Sequence, residues 1–245
     1  RNAILHRKNQ SDIRGNSVSV RVTELGNGMR VATDTMDTVE TVSLGTWVET
    51  GSRDEAVDVC GISHLLEHMV FKGTERRNAR EIAEEIEAVG GHLNAYTSRE
   101  NTAYYAKVLK EDINLAVDLV SDIFMHATMD PAELEREKSV ICQEIHQVND
   151  TPDDVVFDLF QEVAYPDQAI GRPVLGTEDV INGFTHDDVQ TYRQQGYTAP
   201  ATVFCAAGRV DHTQLVDLVG EAFETLPSTP RVKRDQAHYH GGDSR

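Results

Sequence analysis

Apolar and polar residues alternate in several short segments of the chain, and this pattern predicts β-strands. The run VSVRVTEL at 18–25 alternates valines with polar residues, GNG at 26–28 supplies a turn, and MRVATD at 29–34 continues extended. These segments predict a β-hairpin. Further strands are predicted for TVSLGTWVET at 41–50, HLNAYTS at 92–98, TAYYAKVL at 102–109 and ATVFCAAG at 201–208.

Helical periodicity occupies most of the remaining chain. The segment 78–91 opens with Asn78 and Glu81 in capping-box spacing and ends at two glycines, which predicts a helix with defined ends. A longer helix is predicted from Asp130 and Pro131 through residue 148. Other helices are predicted around 60–74, at 111–125, from Thr151, near 178–195 and at 212–223.

The order of these elements predicts the fold class. Strands that pair between long helices favour an α+β fold, with helices packed on one face of a mixed, largely antiparallel sheet. The runs VDLVSDIF at 117–124 and VDLVGEAF at 216–223 agree at Val, Asp, Leu, Val and Phe, which fits either a duplicated strand-helix unit or a chance amphipathic likeness. A doubly wound parallel sheet is the alternative, and it is disfavoured because no glycine-rich phosphate loop follows a predicted strand.

Composition narrows the classes of protein. A chain of 245 residues with 39% hydrophobic content can bury a core. No segment approaches the roughly 20 apolar residues of a membrane helix, so a soluble protein is expected. Forty-one acidic against 23 basic residues give a net charge of −18. This charge disfavours nucleic acid and anionic lipid and would attract cationic partners, but plain solubility is the favoured explanation.

The cysteines and the start of the chain add two expectations. Cys60, Cys142 and Cys205 are widely spaced without a CxxC pair, which favours free thiols over a disulfide framework or a thiolate zinc site. The chain begins at Arg1, so removal of a leader stays open, and bacterial cytoplasm, periplasm and mitochondrial matrix all remain compatible compartments.

The candidate chemistry is concentrated in CGISHLLEHMVFKGT at 60–74. Residues four apart on a helix project side by side, about 6 Å apart, so His64 and His68 could hold one metal ion. Neutral imidazoles suit zinc, and a catalytic zinc site keeps a position open for water. Glu67 lies between the histidines, where a carboxylate could act as general base. A chance HxxEH spacing is the alternative, and a third ligand would decide between the two.

Glu137 and Glu144 could supply that ligand. They are two helical turns apart and border the apolar row of Leu134, Ile141 and Val148. A half-buried carboxylate is costly without a partner, and a nearby cation would compensate. A solvated acidic helix edge is the alternative for both glutamates.

Several motifs in order give the sequence a family resemblance. GISHLLEHMVFKGT, GGHLNAYTSRE, ELEREKSVICQEI and VVFDLF together resemble the pitrilysin family of zinc peptidases, in which HxxEH is the inverted zincin motif. Within that family the chain looks most like the N-terminal half of the processing peptidases and their bacterial relatives, from about Thr23 onward. The resemblance implies one Zn²⁺ held by His64, His68 and Glu144. It implies Glu67 as the base and Glu137 as a catalytic-site residue that orients the ligands.

The resemblance also implies how a peptide substrate would bind. The strand HLNAYTS is expected to add an extended peptide as a further strand, with Asn94, Ala95 and Tyr96 contacting it. Asp154 and Asp158 align with an acidic pair that receives an arginine near the cleavage point. Asp154 replaces the family's glutamate, so the strength of this contact is open. Sheet packing of the tyrosine and solvation of the aspartates are the alternatives.

These implications predict a zinc-dependent endopeptidase with a possible preference for basic sites. A non-catalytic partner or scaffold subunit and a small-molecule zinc hydrolase are the competing functions. The expected organisation is an N-terminal extension at 1–17, a catalytic zinc-binding domain at 18–230 and the start of a linker at 231–245. A second homologous half is expected in the same longer chain or in a dimer partner.

Overall fold

The computed structural model describes residues 8–15, 18–230 and 233–240. Within these ranges, seven β-strands form one sheet. The strands are β1 (Lys8–Gly15), β2 (Val18–Glu24), β3 (Arg30–Thr35), β4 (Thr41–Val48), β5 (His92–Thr97), β6 (Thr102–Leu109) and β7 (Thr202–Gly208).

The sheet is mixed and largely antiparallel, as predicted. Its strand order is β1-β2-β3-β7-β4-β6-β5, and the only parallel neighbours in the described part of the sheet are β3 and β7. β7 comes late in the chain but lies in the middle of the sheet, where Phe204 is opposite Val31 on one side and Thr46 on the other. A doubly wound parallel sheet is therefore excluded.

Eight α-helices lie between and after the strands of the described chain. They are α1 (Ile62–Val70), α2 (Ala79–Ala88), α3 (Ile113–His126), α4 (Pro131–Asn149), α5 (Pro152–Ala164), α6 (Glu178–Gly183), α7 (His186–Gly196) and α8 (His212–Ala222).

The core lies between the sheet and the helices. Side chains alternate between the two faces of a strand, so residues opposite one another in register share a face. Val31, Phe204, Thr46 and Tyr104 are opposite in register across four strands, and all are fully buried. α3 packs on β4 and β6, and α8 packs on β3. The fold is therefore α+β with the helices on one face of the sheet.

The two similar octapeptides lie in α3 and α8, which contact each other. Each helix follows a strand, β6 in the first case and β7 in the second. Two strand-helix units thus lie side by side, and a chance amphipathic likeness and a duplicated unit both fit this arrangement.

Parts of the predicted extension and linker belong to the folded structure. Lys8–Gly15 forms β1, which pairs with β2, whereas residues 1–7 and 16–17 lie outside the described residues. In the linker region, the Arg234 guanidinium donates to both carboxylate oxygens of Asp54. Residues 231–232 and 241–245 lie outside the described residues as well.

Two further expectations concern the membrane and the cysteines. Among the described helices, none combines the length and the apolar character needed to cross a bilayer. The three cysteines are free thiols, and Cys60 is buried.

Candidate metal centre

α1 presents the two histidines and Glu67 on its more exposed side. The other side of α1 is apolar and buried. The helix contacts β5, α4 and α7. The imidazole rings of His64 and His68 are 4.6 Å apart between centroids, as expected for residues one turn apart. The helix is therefore anchored by its core face, which fixes the direction of the three polar side chains. The buried apolar residues are Ile62, Leu65, Leu66, Met69 and Val70.

α4 brings Glu144 to both histidines. The Oε2 atom of Glu144 lies 3.7 Å from Nε2 of His64 and 3.7 Å from Nε2 of His68. Neighbouring ligands of a tetrahedral zinc ion are separated by about 3.3–3.6 Å, given bonds of about 2.0–2.2 Å. Among the described residues, these three form the one group of histidine, cysteine or carboxylate side chains spaced to hold a metal ion. The predicted ligands therefore converge.

Glu137 contacts the other side of His68. Its carboxylate accepts a hydrogen bond from Nδ1 of His68 at 2.9 Å and pairs with the Lys72 ammonium at 2.7 Å. The Glu137 side chain is only 7% exposed. A proton held on Nδ1 leaves the Nε2 lone pair of His68 free on the side of Glu144. Glu137 thus fixes the tautomer that metal binding requires.

The side chain of His64 is largely buried, with 15% of its surface exposed. Burial, with a smaller effect from the charge of His68, lowers the pKa of His64 to about 4. The ring is therefore neutral at physiological pH and can act as a ligand. Its Nδ1 atom has no hydrogen-bond partner within the described chain, in contrast to Nδ1 of His68.

Glu67 lies in a partly desolvated position near the ligands. Burial raises the pKa of this carboxyl group, and contacts with Thr97 and the charge of His68 partly offset the increase. Its Oε2 atom is buried without a hydrogen-bond partner among the residues described. A carboxylate with a raised pKa and a free oxygen is suited to accept a proton.

β5 forms an edge of the sheet beside α1. It pairs with β6 alone in the described structure, so one side of its backbone is open to a further strand. The Oδ1 atom of Asn94 accepts a hydrogen bond from the Ala95 amide at 2.8 Å. Tyr96 is 41% exposed, and its hydroxyl accepts a hydrogen bond from the indole of Trp47 at 3.1 Å. The three predicted substrate contacts therefore lie along an accessible edge.

The predicted acidic pair lies on α5, with Asp154 in its first turn and Asp158 one turn further along. Asp154 is exposed, whereas Asp158 accepts a hydrogen bond from the Arg99 guanidinium at 2.8 Å. Arg99 follows β5 and also donates to the carbonyl of Ile170. One carboxylate of the pair is thus already engaged by an arginine of the chain itself.

Four residues near the site were not identified from the sequence. Lys72 lies just after the end of α1, and its sequence position carries no signal of its contact with Glu137. Thr97 is the last residue of β5 and Arg99 lies just after it, but their partners come from distant parts of the chain. Glu55 binds the start of α1 from a loop, and its spacing carries no recognisable signal.

Comparison with known proteins identifies the family. Residues 30–178 match the family described as Insulinase (Peptidase family M16), and residues 183–245 match the Peptidase M16 inactive domain. The two matched segments share one sheet, because β7 of the second lies between β3 and β4 of the first.

Two curated relatives illustrate the sequence similarity. The chain is 41% identical over 230 residues to a probable mitochondrial-processing peptidase subunit beta of Arabidopsis thaliana, covering 92% of this chain and 43% of that protein. It is 44% identical over 192 residues to the uncharacterized zinc protease YmxG of Bacillus subtilis, covering 78% of this chain and 47% of that protein. The chain thus spans about half the length of the curated relatives it matches.

Solved structures share the fold. A protease from Helicobacter pylori superposes with a TM-score of 0.83 at 22% identity, covering 90% of this chain and 54% of that chain. A peptidase M16 inactive domain from Pseudomonas fluorescens gives the same TM-score at 16% identity, with the same coverage. With the family match over most of its length and curated relatives above 40% identity, this chain belongs to the M16 family of peptidases.

Proposed function

We propose that the chain carries the catalytic centre of a zinc-dependent endopeptidase. The observation that supports this proposal most directly is the convergence of His64, His68 and Glu144 beside the free oxygen of Glu67. Two imidazoles and one carboxylate form a donor set that suits zinc and leaves a position for water. The names of the relatives, processing peptidase and zinc protease, agree with this chemistry.

Glu67 and Glu137 have different roles in the proposed hydrolysis. Bound zinc supplies a Lewis acid that polarises a peptide carbonyl and acidifies water. Glu67 takes a proton from the attacking water and returns it to the leaving amine. Glu137 holds the proton on Nδ1 of His68 and thereby keeps the ring in its ligating orientation. No covalent intermediate with the protein is needed.

The substrate is an extended peptide or an unfolded segment. Its backbone would pair with the open edge of β5, next to Asn94, Ala95 and Tyr96. Asp154 is free to receive a basic side chain, while Asp158 would have to share its carboxylate with Arg99. The net charge of −18 favours basic segments over acidic ones.

The complete active unit contains a second, similarly folded half. The curated relatives are about twice as long as the matched region, which supports this arrangement. A second half over the site would exclude water and add groups that stabilise the developing oxyanion. It could come from the same longer chain or from a partner.

Metal analysis combined with peptide hydrolysis tests the function. The chain is stripped with a chelator, reloaded with zinc and mixed with a quenched peptide library that contains basic and neutral members. Bound zinc at one ion per chain, with hydrolysis that depends on zinc, supports the peptidase. Bound zinc without hydrolysis, even with the second half present, would favour a scaffold subunit. Failure to bind zinc would overturn the proposed centre.

A further inference from the structure

The N-terminus of the metal-binding helix is buried, which creates a need for hydrogen-bond acceptors. The first N–H groups of a helix have no partners within the helix, and α1 has no capping side chain because its N-cap is Gly61. Gly61 has a φ of +96°, and a β-carbon there would lie 2.6 Å from the carbonyl oxygen of Leu175. The tight packing therefore demands glycine at this position, and an acceptor must come from elsewhere in the chain.

Glu55 supplies the acceptors. Its Oε2 atom accepts from the Gly61 amide at 2.7 Å, and its Oε1 atom accepts from the Ser63 amide at 2.9 Å. The Glu55 residue is only 3% exposed. Each oxygen of the carboxylate thus binds one N–H group, an arrangement that an ionised carboxylate satisfies fully.

The Glu55 carboxylate is buried among polar neighbours, and its burial disfavours the charged form. Burial raises the pKa of Glu55 to about 7, against the effect of the two amide bonds and the Arg172 charge. Arg172 donates to the backbone carbonyl of Glu55. The hydroxyl groups of Tyr192 and Ser63 form a hydrogen bond of 2.6 Å. Burial, with a further effect from the Glu55 charge, raises the pKa of the Cys60 thiol to about 11.

The cap acts directly on the position of the ligands. Ser63 is the residue before His64, and α1 is only nine residues long, so a shift at its start moves both histidines. Both Nε2 atoms lie 3.7 Å from Glu144, and a zinc site tolerates only a few tenths of an ångström in its ligand distances. An anchor at the start of the helix therefore controls whether the ligands converge.

We propose that Glu55 is a positioning residue that anchors the start of α1 and thereby sets the geometry of His64, Glu67 and His68. This inference rests on the proposed zinc centre for its consequence, but the cap itself can be measured without zinc. Glu55 acts through the helix and contacts neither the metal ligands nor the substrate.

The test compares Glu55→Gln with a matched control. Glutamine keeps the size of the side chain but turns an NH₂ group toward one of the two amide donors. Glu81→Gln is the control, because Glu81 also accepts a helix N-terminal amide, that of Asn78 at 2.8 Å, on a helix that carries no ligand. Zinc affinity is measured by competition with a chromophoric chelator, and melting temperature and amide hydrogen exchange are measured on the metal-free proteins.

Glu55→Gln is expected to weaken zinc binding by about 10–100-fold, as for loss of a residue that orients a ligand. It should also speed exchange along α1, and kcat per bound zinc should fall while KM changes little. Glu81→Gln should leave zinc affinity and kcat unchanged, whatever its effect on melting temperature. Wild-type zinc affinity in Glu55→Gln would overturn the inference.

A measurement on the wild-type protein separates this inference from the proposed function. The Gly61 and Ser63 amides should exchange as slowly as the amides bonded within α1. Fast exchange at both would overturn the cap, and this holds even if Glu55→Gln does not fold. Slow exchange in a chain that binds no zinc would retain the cap and refute the zinc centre instead.

Discussion

Replacement of the two glutamates of α4 one at a time tests their different roles. Glu144 lies 3.7 Å from the Nε2 atoms of both histidines, whereas Glu137 contacts Nδ1 of His68 and Lys72. Glu144→Gln therefore removes the negative charge of the proposed third ligand. Glu137→Gln keeps an amide oxygen that can still accept from His68, but it removes the ion pair with Lys72.

The contacts give the expected magnitudes. Structural zinc sites with four ligands bind with about 10–16 kcal/mol, so each ligand accounts on average for about 2.5–4 kcal/mol, or about 60–700-fold in affinity. Partners that orient a ligand typically account for about 10–100-fold. Since glutamine preserves the acceptor for His68, the loss of zinc affinity in Glu137→Gln should be near the lower end of this range, about 10-fold. We expect Glu144→Gln to weaken zinc binding at least tenfold more than Glu137→Gln does.

Competition with a chromophoric chelator at pH 7.5 measures both affinities. Glu135→Gln is the control on the same helix, because Glu135 is 70% exposed and pairs with Lys138 away from the histidines. The control should bind zinc like the wild type. Equal losses in Glu137→Gln and Glu144→Gln, or a larger loss in Glu137→Gln, would refute the assignment of ligand and orienting residue.

Three further predictions follow from the site and its surroundings. Asp154→Asn combined with Asp158→Asn should lower kcat/KM for an arginine peptide about tenfold more than for its alanine counterpart. The reason is that a charged hydrogen bond contributes about 1.5–3 kcal/mol. Equal losses for the two peptides would mean that the aspartates do not bind the substrate arginine and that Asp158 serves only as the partner of Arg99. Burial makes ionisation of Glu55 costlier in the folded chain than in the unfolded chain, which raises its pKa from 4.5 to about 7. The resulting contribution to the free energy of unfolding is full below pH 4.5 and is lost as pH rises through about 7. Urea unfolding should therefore show the wild type losing on the order of 3 kcal/mol relative to Glu55→Gln between pH 4.5 and 8, and a constant difference would contradict this. The chain as a verified monomer should hydrolyse peptides weakly, with a large gain when the proposed second half is added. Full activity in the monomer would contradict the two-half arrangement.

The helices and most strands could be predicted because their signals are local. Alternating valines predicted β2, and the capping box of Asn78 and Glu81 is present at the start of α2. The position of β7 between β3 and β4 could not be predicted, because pairing of distant strands leaves no periodic pattern along the chain. The pairing of Lys8–Gly15 with β2 was missed for the same reason.

The candidate site divides along the same line. The spacing of His64 and His68 on one helix specified their convergence, and the two-turn spacing of Glu137 and Glu144 placed both on one side of α4. The family resemblance, rather than spacing, distinguished the two glutamates. Glu55 was missed because the need for it arises from the packing of Gly61, which only the folded structure reveals.

The interaction of Arg99 with Asp158 joins residues that are 59 positions apart. Arg99 lies just after the β5 strand, and Asp158 lies in the acidic pair on α5, so neither segment indicates that the two residues meet. Contacts of this kind follow from the packing of α5 against the loop after β5, so the sequence alone indicates the acidic pair but not its partner.

Hydrolysis by zinc-loaded Glu67→Gln, assayed with the second half present, tests the central claim most directly. The amide preserves the shape of the side chain and removes the base, so the variant should bind zinc like the wild type and hydrolyse a quenched peptide about 10²–10⁴-fold more slowly. Wild-type turnover by the fully zinc-loaded variant would contradict the role of Glu67 and the mechanism built on it.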